Sequence, residues 1–343
     1  MSKRLCVVLG AGSSYDCISD VEFEPNFRPP LAAQLFENRS SFNAILRKYP
    51  GAEALSDLIR ARVKNGDNLE TVLRQIASEE NVVLRKQFWE VPLYLQELLG
   101  EVSDHYVRAG ATKFHTLVRG IEAAGVQEVG YLTLNYDLFL ERALTTIYGT
   151  VFNHPSAYLP DGLRWFLVKL HGSVNWGRRV VNVDSRIRSA GELLTGLKAD
   201  PVLDSTFEVL GGYQESVRYD REAFHYPALA VPVEGKTGFV CPQEHLARTR
   251  EFLASCTNFL VIGFGGLDKD LLDLLGLAPV VHSLLVVCGN AEASLATVKR
   301  LSEPMRLGPK VGVYRPLESY GYPGGFSHFI DSGALARFLG SLT

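Results

Sequence analysis

The sequence predicts an α/β fold, a doubly wound and mostly parallel Rossmann-like sheet with a helical insertion after its first strand and a polar insertion after its third. Short apolar runs rich in β-branched residues alternate along the chain with segments of helical spacing. Most of these runs end directly in glycine or in polar residues, as is typical of buried parallel strands that turn into helices. The runs lie at residues 5–9, 129–134, 165–170, 259–262, 283–288 and 310–314.

The first predicted strand, Leu5–Leu9, leads straight into a glycine turn. The turn consists of Gly10, Ala11, Gly12, Ser13 and Ser14. After a proline-rich loop, residues 21–110 change to helical periodicity, which predicts a helical insertion between the first and second strands. The helical spacings lie at residues 31–36, 55–63, 69–76 and 83–99.

Polar residues follow the second and third predicted strands. The second strand runs into Asn135 and Asp137 before helical spacing resumes, and the third runs into His171. We therefore expect these side chains where the carboxyl ends of the strands turn away from the sheet. From residue 178 to residue 238 the composition becomes polar and rich in tyrosine, so we expect this segment to leave the main sheet.

The last three predicted strands complete the sheet. The fourth ends in a second glycine turn, which contains Gly263, Phe264 and Gly265, and a helix is expected after it. A further helix, from Ala291 to about Leu301, separates the fifth and sixth strands. The whole chain, residues 1–343, is therefore expected to form one domain with two insertions.

The composition excludes several classes of protein. With 35 basic and 38 acidic residues the formal charge is −3, so we expect no direct contact with nucleic acid. The longest apolar stretch, residues 276–288, is too short to span a membrane. Five cysteines without a C-x-x-C pair favour neither a disulfide framework nor a zinc ribbon, and a reducing cytoplasm fits them. The N-terminal run lacks a small-residue cleavage site, so no signal peptide is predicted.

Ligands of doubly wound sheets bind beyond the carboxyl ends of the strands, where these polar residues and glycines are expected. Each has a structural alternative. Gly10 and Gly12 fit either phosphate binding or the tight packing of a β–α turn. His171 fits either a packed or solvent-facing histidine or a general base. Asn135 fits either a helix cap or a ligand contact, and Asp137 either an acid favoured in a first helical turn or a ligand contact.

Six segments, in chain order, resemble motifs of the sirtuins and, more closely, of the sirtuin-like NAD-hydrolysing domains of bacterial anti-phage defence. They are Gly10–Ser14, Phe114–Leu117, Thr133–Asp137, Leu170–Gly172, Gly263–Gly266 and Asn290. The third segment resembles the family's Thr-Gln-Asn-Ile-Asp motif, and the fourth resembles its catalytic histidine motif. The resemblance extends from Arg4 to about Tyr314, interrupted by the two insertions.

The resemblance implies that NAD binds as the substrate, with its pyrophosphate at the first glycine turn and its nicotinamide ribose near Asn135 and His171. Asn135 would orient the ribose or the attacking water, and Asp137 would hold the nicotinamide carboxamide. His171 would accept a proton as the glycosidic bond loosens. The implied NAD-binding positions are Gly10, Ala11, Gly12, Ser13, Ser14, Asp16, Thr133, Gly263, Phe264, Gly265 and Asn290.

The chain departs from deacetylating sirtuins in two places. Only Cys241 and Cys256 follow the histidine motif where those enzymes carry four ligating cysteines, so no zinc is expected. Leu134 replaces a glutamine that contacts ribose in the family. We therefore expect an NAD glycohydrolase that depletes NAD in infected cells. The alternatives are a sirtuin-type deacylase or ADP-ribosyltransferase, and a non-catalytic regulatory module that binds NAD or ADP-ribose.

An unrestrained NAD hydrolase would harm its host, which implies control by self-assembly or by the product of a neighbouring gene. In related defence pairs the partner is a DNA-translocating ring ATPase or an Argonaute-like protein. The segment at residues 83–99 has more apolar residues than one face of a surface helix requires, which fits either a homo-oligomer contact or a buried helix. These residues are Phe88, Trp89, Val91, Leu95, Leu98 and Leu99.

Overall fold

Two sheets organise the part of the chain that the structure describes. The structure is a computed structural model that describes residues 3–18, 25–108, 112–183, 189, 191–192, 196, 199–214, 218–219, 223–231, 238–313 and 324–342. The strands are β1 (Arg4–Leu9), β2 (Glu128–Thr133), β3 (Trp165–Lys169), β4 (Gly172–Arg179), β5 (Glu208–Val209), β6 (His225–Leu229), β7 (Asn258–Ile262), β8 (Val281–Val287) and β9 (Leu307–Val313).

The central sheet has the strand order β3, β2, β1, β7, β8, β9, and every neighbouring pair is parallel. The chain builds outward from β1 on one side and then outward from β7 on the other, which is the doubly wound order. The predicted parallel, Rossmann-like sheet is therefore confirmed, and each predicted apolar run contributes one of its strands. Residue 314, at the end of the last predicted run, lies outside the described residues.

Helices connect the strands and fill the region after β1. They are α1 (Ala11–Tyr15), α2 (Ser40–Leu46), α3 (Pro50–Lys64), α4 (Leu69–Ala77), α5 (Val82–Phe88), α6 (Glu90–Arg108), α7 (Lys113–Ala123), α8 (Phe139–Tyr148), α9 (Gln243–Leu253), α10 (Lys269–Leu275), α11 (Ala291–Leu301), α12 (Phe326–Asp331) and α13 (Ala334–Gly340). Helices α2 to α6 lie within residues 21–110, so the described part of that range is a helical insertion as predicted.

The helical spacing at residues 83–99 forms two helices, because α5 ends and α6 begins on either side of Trp89. Pro92 explains the break, since its nitrogen carries no hydrogen and cannot donate to the carbonyl oxygen of Phe88, four residues earlier. The spacing at residues 31–36 forms only a single 3₁₀ turn, because so short a segment does not offset the cost of nucleating an α-helix.

A second sheet of three antiparallel strands, β5, β4 and β6, accounts for part of the polar insertion. β4 begins at Gly172, so the chain leaves the central sheet earlier than the predicted boundary at residue 178. Gly172 has a φ of +87°, and a Cβ there would lie 1.8 Å from the carbonyl oxygen of Ala228. Only glycine fits this crossing, which places His171 at the junction of the two sheets.

The six apolar residues singled out in this segment are covered inside the chain, whereas Val82 and Val83 at the start of α5 are exposed. None of the six is more than 7% exposed: Phe88, Trp89, Val91, Leu95, Leu98 and Leu99. Helix α6 packs against α3 and against strands β4 and β6 of the small sheet. The buried-helix interpretation is therefore confirmed, and this helix does not provide the association surface that it was a candidate for. Among the described residues, none of the helices combines the length and the apolar character that crossing a bilayer requires.

Candidate active site

Two glycine turns pack against each other at the carboxyl edge of the central sheet, where the strand order reverses between β1 and β7. The amides of Gly10 and Gly12 donate to the carbonyl oxygens of Ile262 and Gly263, both at 3.0 Å. A Cβ on Gly263, whose φ is +64°, would lie 2.0 Å from the amide nitrogen of Ser13. Steric packing therefore explains these glycines, and the contact of this turn with NAD stays a prediction.

Asn135 joins the tip of β2 to the glycine turn after β1. Its Nδ2 donates to the carbonyl oxygen of Gly10 at 3.1 Å, and it lies 3.1 and 2.8 Å from the Oγ atoms of Ser13 and Ser14. Both serine hydroxyls donate elsewhere, to Gly10 and to Asp137, so their lone pairs face this amide nitrogen. The side chain of Asn135 is thereby fixed in one orientation.

This orientation leaves the carbonyl end of the Asn135 side chain without a partner in the described part of the chain. The residue is only 8% exposed, and its Oδ1 is buried with no hydrogen-bond donor among the described residues. Buried polar atoms in folded proteins are almost always hydrogen-bonded to protein, water or ligand. The Oδ1 of Asn135 is therefore a buried acceptor whose donor would be a water molecule or a ligand.

Asp137, just before α8, belongs to the same hydrogen-bond network as Asn135 and Ser14. Its Oδ2 accepts from the Oγ of Ser14 at 2.6 Å, and its Oδ1 accepts from the amide of Phe139 at 3.2 Å. Burial raises the pKa of this carboxyl above its usual value, and the charge of Lys169 opposes the rise. Carboxylate oxygens accept more than one hydrogen bond, so a ligand amide still has lone pairs to bind. Asp137 precedes α8 by two residues and so lies outside the first helical turn, where Glu141 is the acidic residue, and its contact with the carboxamide stays a prediction.

A buried ion pair anchors the backbone of this tip. Lys169, the last residue of β3, is fully buried, and its Nζ lies 2.7 Å from Oε1 of Glu141 on α8. The same Nζ donates to the carbonyl oxygens of Tyr136 and Asp137. Burial raises the pKa of Glu141, and the charge of Lys169 opposes this rise. This role of Lys169 was not predicted, although a lysine inside an apolar strand indicates a buried charge that needs partners.

His171 is paired with a carboxylate that the sequence analysis did not single out. Its Nε2 lies 2.9 Å from Oδ2 of Asp268, and the two side chains are 23% and 20% exposed. The other oxygen of Asp268 accepts from the amide of Leu271 at 2.7 Å and so caps α10. Burial acts to raise the pKa of Asp268, but the hydrogen bond and charge of His171, with the Leu271 amide, hold it below its usual value.

His171 and Asp268 follow strands that are not neighbours in the central sheet. His171 follows β3 and Asp268 follows β7, and strands β2 and β1 lie between them in the sheet. Strands β3 and β7 are therefore roughly 14 Å apart, three strand spacings. The two turns must lean towards each other over the tips of β2 and β1 for the side chains to meet. The ring of His171 also lies 6.4 Å, centroid to centroid, from that of Tyr136, the neighbour of Asn135.

The other predicted NAD-binding residues of the two glycine turns and of β2 also help to build this edge of the sheet. Oγ1 of Thr133 accepts from the amide of Asn135 at 3.0 Å and so shapes the tip of β2. Ala11 is the first residue of α1. Phe264 is buried and Gly265 is exposed in the turn after β7. The structure thus brings the turn after β1, the tip of β2 and the turn after β7 into one cluster.

Asp16 and Asn290 are engaged outside this cluster. Oδ2 of Asp16 accepts from the amide of Ser327 on α12 at 3.1 Å, and burial raises the pKa of this carboxyl. Oδ1 of Asn290 accepts from the amide of Ala293 at 2.8 Å and caps α11, with the side chain exposed. Both residues have structural roles, and their contacts with NAD stay predictions.

The cysteines do not assemble into a metal site within the described residues. No group of three or more His, Cys, Asp or Glu side chains there has the arrangement needed to hold a metal ion. Cys241 and Cys256 are buried and free, and burial raises the pKa of each thiol to about 12.

Comparison with known proteins links part of the chain to one family. Residues 129–278 match the model of the SIR2-like domain, a range that contains Asn135, Asp137, His171 and Asp268. A solved Sir2 homologue in complex with NAD is 14% identical, with a TM-score of 0.43 over 100% of this chain and 91% of that chain. A structure described as a basis for the mechanism and regulation of Sir2 enzymes is 16% identical, with a TM-score of 0.41 over 99% and 94% of the two chains. No curated protein matches this sequence.

Proposed function

We propose that this chain is an NAD glycohydrolase, which uses water to cleave NAD into nicotinamide and ADP-ribose. One observation carries the proposal: at the sheet edge where His171 pairs with a carboxylate, the fixed amide of Asn135 has an Oδ1 to which none of the described residues donates a hydrogen bond. A hydrogen-bond acceptor and a base at one edge suit the activation of water. The SIR2-like match, which contains both residues, supports NAD as the substrate.

The side chains at this sheet edge have separate roles in the proposed reaction. The Oδ1 of Asn135 accepts a hydrogen bond from a ribose hydroxyl or from the attacking water, and Asp137 holds the carboxamide. Water forms the new bond to the ribose carbon while the bond to nicotinamide breaks, and nicotinamide leaves with that electron pair. The proton lost by the water passes to His171. General-base assistance of this kind is worth about a hundred- to ten-thousand-fold in rate.

The molecule that accepts the ADP-ribosyl group of NAD distinguishes this proposal from its alternatives. A deacylase or ADP-ribosyltransferase consumes an acyl-lysine or a protein side chain together with NAD, and a regulatory module binds NAD without turnover. We expect the purified chain to release nicotinamide and ADP-ribose at the same rate with or without an acetyl-lysine peptide. Release that requires the peptide would instead identify the transferase. Tight NAD binding without any release would identify the regulatory module.

We expect activity and folding to be independent of zinc. The predicted absence of a four-cysteine site implies that a strong chelator leaves both the rate of NAD cleavage and the Tm unchanged. The measurements are turnover and thermal unfolding before and after treatment with 1,10-phenanthroline. Zinc at one equivalent by elemental analysis, together with loss of folding when it is removed, would contradict this expectation.

The proposed role is that of an effector in anti-phage defence, and it rests on the resemblance to domains of that type. We propose a homo-oligomer in the cytoplasm, or control by a neighbouring gene's product such as a ring ATPase or an Argonaute-like protein. Light scattering at micromolar concentration is expected to give more than the monomer mass. A monomer mass unchanged by NAD and by that gene product would contradict it. Any association surface lies outside the buried residues of α5 and α6.

A further inference from the structure

We propose that Asp268 is a positioning residue, whose carboxylate holds the proton of His171 on Nε2 and so leaves Nδ1 as the nitrogen that accepts a proton during NAD cleavage. The inference rests on the proposed function, and it names a residue to which neither the resemblance nor the family match assigns a role. Its basis is the geometry of the turn between β7 and α10.

The carboxylate has one orientation, because each of its oxygens has a different fixed partner. Oδ1 accepts from the amide of Leu271, the third residue of α10, at 2.7 Å. Oδ2 is thereby turned towards His171, whose Nε2 lies 2.9 Å away. A helix cap needs only one oxygen, and serine or threonine would serve as well. The second oxygen is the feature that a capping role alone leaves unexplained.

The pair determines which imidazole nitrogen is basic. An ionised carboxylate can only accept, so the nitrogen that faces it must carry the hydrogen. In the neutral ring the other nitrogen, Nδ1, then has the free lone pair. When Nδ1 takes a proton, the carboxylate also stabilises the positive charge of the ring. Both side chains remain about one-fifth exposed, so the pair is partly accessible to solvent.

Asp268→Asn tests the proposal while keeping the cap. Asparagine is as good a helix N-cap as aspartate. With its single oxygen on the Leu271 amide, its NH₂ group faces Nε2 of His171, and a hydrogen bond forms only if Nε2 gives up its hydrogen. The ring is therefore driven into the other tautomer, with the hydrogen on Nδ1. We expect kcat to fall about a hundred- to ten-thousand-fold, with the KM for NAD and the Tm little changed.

Asp273→Asn is the matched control. Asp273 lies on the same helix, and its carboxylate pairs with Lys269 in solvent at 2.7 Å, so the control makes the same chemical change away from the crevice. We expect wild-type kcat from this variant. Wild-type kcat from Asp268→Asn as well would overturn the proposal.

The tautomer itself is measured by ¹⁵N NMR of histidine-labelled protein at alkaline pH, with His171→Ala to assign the ring. We expect the hydrogen on Nε2 in the wild type and on Nδ1 in Asp268→Asn. The same tautomer in both proteins would overturn the positioning role. This readout does not depend on turnover: a wild type that shows the expected tautomers but never cleaves NAD would refute the proposed function and leave the pairing intact.

Discussion

His171→Ala is expected to lower the rate of NAD cleavage by about a hundred- to ten-thousand-fold, the range for loss of a general base. The side chain is partly exposed at the junction of the two sheets, and its polar contact is with Asp268. Its removal therefore takes away the proposed base without opening a cavity in the core. The measurement is initial-rate release of nicotinamide, with the Tm recorded for each protein.

His282→Ala is the control for this substitution. His282 lies near the amino end of β8, at the opposite edge of the sheet from the crevice, so we expect it to retain wild-type turnover. If His171→Ala kept more than about a tenth of wild-type turnover, the loss would be too small for a general base, and the assignment of His171 would be wrong.

Asn135→Ala is also expected to abolish cleavage, but it has a structural cost. The sequence alone places Asn135 at a strand tip rather than in the core, which predicts an unchanged fold. The structure shows a buried amide whose Nδ2 faces the hydroxyl oxygens of Ser13 and Ser14, so the substitution leaves these two acceptors without their donor, whereas the carbonyl oxygen of Gly10 still accepts from Ser13. Each buried polar group left unsatisfied costs about 1–3 kcal/mol. Its turnover must therefore be read with its Tm, and His171→Ala is the cleaner test.

The second large effect is expected on stability. Lys169→Ala should lower the free energy of unfolding by about 3–5 kcal/mol, because it leaves the buried carboxylate of Glu141 without its cation. The carbonyl oxygens of Tyr136 and Asp137 lose the same donor, so NAD cleavage should fall as well. Urea unfolding of the variant and the wild type measures the first effect.

The pH dependence of this destabilisation follows from Glu141. Burial raises the pKa of its carboxyl in the folded protein, and loss of Lys169 removes the charge that opposes the rise. The folded state of Lys169→Ala thus binds a proton that the unfolded state releases above its ordinary pKa of about 4.3. The loss of stability should therefore be greater at pH 7 than at pH 5. An equal loss at both values would contradict the buried-charge explanation.

Two further variants isolate the ion pair. Lys169→Met combined with Glu141→Leu removes both charges together, and we expect it to recover much of the stability lost in Lys169→Ala. Lys269→Ala breaks an exposed pair with Asp273 and should be nearly neutral. A Lys169→Ala protein as stable as the Lys269→Ala control would show that the buried pair is not what anchors the tip of β2.

The strands and glycine turns could be predicted from the sequence because their signals are local. Apolar runs such as Leu5–Leu9 end at a glycine or a polar residue, and this pattern identifies both the strand and its carboxyl end. The placement of Asn135 beside the first glycine turn follows from the parallel order of β1 and β2. Local pattern and sheet topology together thus locate most of the candidate site.

The contacts that could not be predicted join residues far apart in the chain. An aspartate just before a helix is typical of a cap, but nothing near Asp268 indicates that its second oxygen reaches His171, because that contact requires two turns to meet over β1 and β2. The early departure of the chain at Gly172 is likewise set by its close approach to Ala228. Periodicity describes one element at a time, so it missed the carboxylate partner of the histidine and the start of the small sheet.

The most direct test of NAD hydrolysis at this site is cleavage of NAD in water enriched in ¹⁸O, followed by mass spectrometry of the products. The purified chain is assayed alone and with the product of its neighbouring gene. We predict one nicotinamide released for each NAD consumed, and one ¹⁸O atom in each ADP-ribose, because water supplies the new bond to the ribose carbon. NAD that remains intact under both conditions, or ADP-ribose that appears only attached to protein or to an acyl group, would contradict the account.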